Sequence, residues 1–381
     1  MTTPDDRRDE QKDQDDRRDA SEAQTGPGYS SEARTGPVGA SGPQAGPRDA
    51  SEAQTGRRDV ADEPGSIPPA SAPVGPGLHP YLKVLLYIVG YFVVGIAVSL
   101  VVAIVGGIFV AAGFVELPEL DQSLQQMETM NVEELIGIME PYLLPIVIAT
   151  GLFTVFYTWA FIHIVDKKRL RSLGLHLRPG WSLDFSKGVG LAVLVLGVIF
   201  AFSIMIGSIR VEGLARPAPE GTSVSAYLIG ALVAFFLVGL YEELMFRGYV
   251  LQRLNERAGK WASILVSSIL FAVLHGANPG ADVFGIFNTT IIAVILAVLY
   301  FRTRSLWMPV GFHFAWNFFL GYVYSLPVSG LPVYGVLNVV EIEPDSRLTG
   351  GTYGPEAGLA TTIALAAWGA WLIWRRTGRR R

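Results

Sequence analysis

Residues 226–250 read Ala226-Tyr-Leu-Ile-Gly-Ala-Leu-Val-Ala-Phe-Phe-Leu-Val-Gly-Leu-Tyr-Glu-Glu-Leu-Met-Phe-Arg-Gly-Tyr-Val250. The run is apolar over more than the roughly 20 residues that cross a bilayer. Backbone groups in lipid must be satisfied within the segment, so it reads as a transmembrane helix. Near its end it carries Glu242, Glu243 and Arg247. Charged side chains inside a span are costly and are functional candidates by default.

The rest of the chain agrees with a membrane reading. Of its 381 residues 50% are hydrophobic and 17% charged, where soluble domains carry about 25% charged residues. There is no cysteine, which excludes disulfides, cysteine nucleophiles and thiolate metal ligands. The net charge of −4 is uneven: residues 1–78 hold nine Lys and Arg against fifteen Asp and Glu. That segment is rich in Gly, Pro, Ala, Ser, Asp and Arg and nearly free of aromatic residues, a composition that cannot offset the entropy of ordering. It is expected to be a disordered cytoplasmic tail. Its repeat, RDASEAQTG at Arg18–Gly26 and again at Arg48–Gly56, has no apolar face to stack and reads as low-complexity expansion.

From Tyr81 onward apolar runs dominate. They predict an all-α, polytopic transmembrane bundle over 79–381 with about eight spans: 81–114, 141–166, 186–208, 226–250, 260–277, 281–301, 307–325 and 358–375. The connections after the second, fourth and sixth spans hold Lys167, Lys168, Arg169, Arg171, Arg178, Arg253, Arg257, Lys260, Arg302 and Arg304, and the chain ends in Arg379, Arg380 and Arg381. The alternate loops are acidic or poor in Lys and Arg. This alternation predicts both termini on the cytoplasmic side of a multi-pass cell-membrane protein.

Polar residues recur in two further segments, Phe271-Ala-Val-Leu-His275 and His313-Phe-Ala-Trp-Asn317. Glu243 and Arg247 are spaced i and i+4 and can pair on one helix face. Glu242 lies about 100° around the helix, without that partner and free for chemistry. His313 and Asn317 share a face by the same spacing, as do Phe271 and His275. At 1.5 Å per residue Glu242 and His275 sit about 20–27 Å from the tip of their hairpin and His313 about 13 Å in from Arg304. The three groups can therefore meet in one cavity below the cytoplasmic surface. His79, His163 and His176 lie at span ends or in connectors and carry no functional assignment.

The ordered set EExxxR, FxxxH and HxxxN over about Ala226–Tyr324 resembles the CAAX protease and bacteriocin-processing (CPBP) intramembrane peptidases, which include the type II CAAX prenyl endopeptidase. The resemblance implies a glutamate-dependent endopeptidase carrying out intramembrane proteolysis, with its core at about 226–325. It implies Glu242 as the base activating water, His275 as its partner, His313 and Asn317 as oxyanion stabilisers, and Glu243 and Arg247 as structural. A carboxylate in an apolar setting is tuned towards general-base work, and peptide hydrolysis needs donors aimed at the oxyanion. No cofactor is expected; zinc on Glu242, His275 and His313 is the alternative, disfavoured because no HExxH string is present. The expected partners are a membrane-associated protein or peptide substrate and the lipid bilayer, with no nucleic acid.

Other readings fit less well. A serine intramembrane protease needs a Ser in a Gly-flanked turn, and the one such string, Gly39-Ala-Ser-Gly42, lies in the tail. An aspartyl type needs two intramembrane Asp, and Asp282 stands alone at a loop edge. A transporter also lines a cavity with polar groups, but the polar motifs show no inverted repeat. A non-catalytic scaffold or immunity-type binding protein would not need all three motifs intact.

Overall fold

A computed structural model describes residues 77–111, 143–342 and 346–377. The helices are α1 (Pro80–Ala111), α2 (Leu143–Phe161, extended by a π-helical turn, Ile162–Asp166) and α3 (Trp181–Met205). Next come α4 (Val224–Glu243), a π-helical turn (Leu244–Val250) and α5 (Leu251–His275) in one continuous run, then α6 (Val283–Thr303). The last are α7 (Trp307–Asn317, extended by a π-helical turn, Phe318–Val323), the short α8 (Ser346–Thr349) and α9 (Leu359–Thr377). Residues 1–76 of the expected disordered tail, the expected acidic first loop and the terminal arginines fall outside the described residues.

Among the described residues five elements are long and apolar enough to cross a membrane: Pro80–Val105, Leu143–Asp166, Trp181–Met205, Val224–His275 and Val283–Thr303. The expected count was eight, and particular reasons reduce it by this criterion. The expected fourth and fifth spans fall in one stretch of 52 residues, but it breaks at Gly259 (φ 75°, ψ 171°), within the expected turn, and the 3.7 Å between Glu242 and His275 shows its two arms folded back on each other. The expected seventh span, α7 with its π-helical end, is shorter than the about 20 residues a crossing needs. The expected eighth span corresponds to α9, whose apolar sequence runs from Leu359 to Trp374 before Arg375 and Arg376.

The fold also departs from all-α. Strands β1 (Ile209–Leu214) and β2 (Leu337–Glu341) form a two-stranded antiparallel sheet, with Ile209 opposite Glu341 and Leu214 opposite Leu337. The register slips between Val211 and Gly213, leaving Glu212 as a bulge. Both strands are short and lie in connectors that read only as loops.

The connectors sort to two ends. At one end the segment after α2 meets the start of α7: Leu306 N donates to Gly174 O (3.0 Å) and Trp307 Nε1 to His176 O (3.2 Å). There Gln252 Nε2 donates to Leu173 O (2.9 Å) and Arg178 to Thr303 O. Lys83 of α1 pairs with Asp166 at 2.6 Å. The basic connectors therefore share one end. At the other end β1 and β2 join the third and seventh connectors, and Gly330 packs against Pro279 in the fifth.

Between the ends, α3 crosses α7 at backbone contact. A methyl group on Gly188 would run into the carbonyl of Met308, and one on Gly311 into the carbonyl of Phe185. Small residues at such crossings let membrane helices approach closely. That approach fixes α7, the helix carrying His313 and Asn317.

Candidate active site

Glu243 is fully buried at the end of α4, and its Oε1 accepts from Arg247 Nη1 at 2.9 Å. The same oxygen accepts from His313 Nδ1 at 2.9 Å. Arg247 is held twice more, donating through Nη2 to Ala293 O (3.1 Å) and lying 4.5 Å over the Phe271 ring. One carboxylate thus ties α4, the π-helical turn and α7 together, and through Arg247 reaches α5 and α6.

Glu242 faces elsewhere. Its Oε2 lies 3.7 Å from His275 Nε2 and 3.7 Å from His313 Nε2, and that oxygen is buried without a hydrogen-bond partner. The other nitrogen of each ring sets the tautomer. His275 Nδ1 lies 2.9 Å from Phe271 O; a carbonyl only accepts, so Nδ1 carries the proton. His313 Nδ1 faces the Arg247-paired carboxylate of Glu243, so it too carries a proton. With both rings neutral, two Nε2 lone pairs and one carboxylate oxygen converge with no donor among them. Three acceptors around one point suit a water molecule, whose protons satisfy two of them.

These groups open onto a cavity of about 420 Å³. Its walls are mostly apolar: Tyr91 and Phe92 from α1, Leu143, Leu144 and Val147 from α2, Phe235 and Val238 from α4. Asn317, one helical turn beyond His313, lines it and is 6% exposed. All four residues expected to do chemistry, Glu242, His275, His313 and Asn317, therefore line one cavity. Glu243 and Arg247 lie behind it. Among the described residues no group of three or more His, Asp or Glu has the arrangement of a metal site.

The sequence reading missed one acidic residue of this cavity. Glu356, in the connector before α9, lines it together with Ser329. Its Oε1 accepts from Trp316 Nε1 (2.8 Å) and its Oε2 from Ser329 N and Oγ. The string Gly354-Pro-Glu-Ala-Gly358 reads as a turn, and only the tertiary fold brings it to the site.

Two comparisons bear on this arrangement. A family model described as type II CAAX prenyl endopeptidase Rce1-like matches residues 224–319, the segment from the start of α4 to just past Asn317. The protein named "Putative membrane peptidase YdiL" of Bacillus subtilis (strain 168) is 30% identical over 183 residues, covering 45% of this chain and 72% of that protein. With five helices among the described residues long and apolar enough to span a bilayer and this relative, the chain is a membrane protein, and it belongs to the Rce1-like, CAAX protease and bacteriocin-processing family of peptidases.

Proposed function

We propose that the chain is an intramembrane endopeptidase in which Glu242 is the general base for attack of water on a peptide carbonyl. The observation that carries this reading is the set of three acceptor atoms, Glu242 Oε2, His275 Nε2 and His313 Nε2, at 3.7 Å spacings on the wall of the cavity. Water held there loses a proton to Glu242 as its oxygen bonds to the carbonyl carbon. His275, fixed by Phe271 O, orients the water. The oxyanion that forms takes hydrogen bonds from Asn317 and from His313, whose Nε2 shares the proton that Glu242 has just taken from water and gives it back before collapse. Collapse breaks the C–N bond, and Glu242 passes its proton to the leaving amine. The apolar walls exclude bulk water, which strengthens each of these interactions.

The substrate is a membrane-associated protein or peptide, and no cofactor is required. The chain crosses the cell membrane several times with its basic connectors, and hence both termini, on the cytoplasmic side. The gathering of the basic connectors at one end supports this sidedness. Reporter fusions at Gln125 and Lys168 should report opposite sides, and a shared side overturns it.

Single-turnover cleavage of a membrane-anchored peptide tests the chemistry. Glu242→Gln keeps shape and hydrogen bonding while removing the base, and should lose about 10²–10⁴ in rate with unchanged elution on size exclusion. Retained activity removes the glutamate base. Activity lost in chelator and restored by zinc turns Glu242, His275 and His313 into metal ligands.

A further inference from the structure

Glu356 has no part in the proposed chemistry, yet it is the second carboxylate of the cavity. Its two oxygens take three hydrogen bonds, from Trp316 Nε1, Ser329 N and Ser329 Oγ. No Lys or Arg among the described residues is recorded in an ion pair with it, and the described lining of the cavity holds no Lys or Arg. The local backbone is arranged to keep it there. Ser329 and Gly330 both have positive φ (48° and 85°), which a serine adopts only under constraint. Asn288 Nδ2 holds the Glu356 carbonyl (2.8 Å) and Gly330 N donates to Tyr353 O (2.9 Å). Tyr353 is pushed up to about 12 by burial first and then by Glu356, and it feels Glu242 as well. Both carboxylates, Glu356 and Glu242, line the same cavity.

We propose that Glu356 forms an anionic subsite, at the end of the cavity away from the basic connectors, that selects a cationic group on the substrate and disfavours a free C-terminal carboxylate. The cation is a Lys or Arg side chain or an amine. A long basic side chain keeps its stem along apolar wall while its head reaches the interface, and Glu356 lies in the connector at that end. A substrate carboxylate there would meet Glu356 and Glu242 with no Lys or Arg in the lining, the imidazoles of His275 and His313 both lying beside Glu242. The proposal rests on the reading of this cavity as the substrate site, but binding tests it without cleavage.

The experiment uses full-length protein carrying Glu242→Gln, in detergent, with N-terminally palmitoylated fluorescent apolar peptides. A single Lys, norleucine or Glu is moved along the sequence, and each C-terminus is made as acid and as amide. Anisotropy should show one position at which Lys binds about tenfold to a hundredfold tighter than norleucine, the worth of one charge-assisted hydrogen bond. Glu should bind more weakly than norleucine, and amides tighter than acids. Adding Glu356→Gln should bring the Lys-to-norleucine ratio close to one. A merely structural Glu356 would weaken all peptides alike and leave that ratio unchanged, which overturns the proposal. Equal binding of the Lys and norleucine series to the Glu356 protein, or no binding of any peptide, overturns it too. In the Glu242 protein, the same peptides tested for cleavage keep the outcomes apart. Lys-selective binding without cleavage sinks the peptidase reading and leaves the subsite standing; cleavage without Lys preference does the reverse.

Discussion

Replacing Arg247 by Ala should unfold the site from behind while removing no side chain that itself lines the cavity. The guanidinium is 1% exposed and makes three contacts: Glu243 Oε1 at 2.9 Å, Ala293 O at 3.1 Å and the Phe271 ring at 4.5 Å. Its loss leaves Glu243, fully buried, with His313 Nδ1 alone to answer its charge. Removing one member of a buried pair costs about 3–5 kcal/mol, and the bared Ala293 carbonyl and the vacated volume do not lower that figure. At roughly 2 °C per kcal/mol for a chain of this size, melting in detergent should fall by at least about 6 °C, and activity with it. Intrinsic tryptophan fluorescence during a thermal ramp reads this, with size exclusion as the check on assembly. The neutral pair Glu243→Gln with Arg247→Met should regain most of the stability, because the cost lies in the orphaned charge and not in the lost bond. Wild-type melting in Arg247→Ala, or a double variant no better than the single, would refute the argument and give Arg247 a direct catalytic role.

Other substitutions probe the remaining parts of the site. Asn317→Ala should lose about 10²–10³ in single-turnover rate, the worth of one oxyanion donor, with melting little changed. Glu242→Gln combined with His275→Ala should be hardly slower than Glu242→Gln alone, because groups acting as a unit are non-additive; multiplied losses would separate their roles. Gly311→Ala forces α7 off the Phe185 carbonyl and carries His313 away from Glu242, and a displacement near 1 Å can cost about 10²-fold; unchanged turnover would show that α3 does not set the position of α7. His176, buried beside Arg178, has its pKa lowered by burial and by that arginine. The unfolded chain takes up a proton at about pH 6.5 that the fold resists, so stability should drop as pH falls below that value. His176→Gln should flatten the dependence of melting temperature on pH between 7 and 5.

The parts of the site written in local spacing were legible in the sequence. The i, i+4 spacing of Glu243 and Arg247 was enough to pair them, and the three polar motifs were enough to bring Glu242, His275, His313 and Asn317 to one cavity. Two things escaped. The bond from His313 Nδ1 to Glu243 joins residues 70 positions apart, and nothing in either motif announces it. Glu356 sits in a turn string whose role depends on Trp316 and Ser329 meeting it from separate elements. The sheet was missed for a related reason: Ile209–Leu214 and Leu337–Glu341 are short, and each becomes a strand only because the other lies beside it. The turn between the expected fourth and fifth spans was legible: the helix runs on through the π-helical turn, which keeps its backbone groups paired while widening the coil, and breaks at Gly259, beside the charged Glu256, Arg257 and Lys260. What hydropathy did not mark is length, for α7 with its π-helical end is shorter than a full crossing.

The contrast between Glu242 and Glu243 shows how the geometry divides labour between identical neighbours. A helix turns about 100° per residue, so one of two adjacent carboxylates must face away when the other faces the core. Glu243 points to Arg247 and His313, and its charge is spent on holding α4 and α7 in register. Glu242 points to the cavity, where its Oε2 has no protein donor. Had the two residues been spaced like Glu243 and Arg247, both would lie on one face and compete for the same guanidinium, and neither would be left to act as a base. The pair also fixes the sense of His313: with Nδ1 committed to Glu243, Nε2 is the only nitrogen it can turn to the cavity. The Glu-Glu dipeptide therefore sets the position and the tautomer of a histidine on another helix, and this explains why swapping the two roles is not open to single substitutions. Glu243→Gln should keep Glu242 in place yet slow turnover, since His313 then faces an amide whose oxygen and nitrogen can exchange places. If Glu243→Gln turned over as fast as wild type, the second carboxylate would be only a structural pair for Arg247, and the orientation of His313 would have to come from elsewhere.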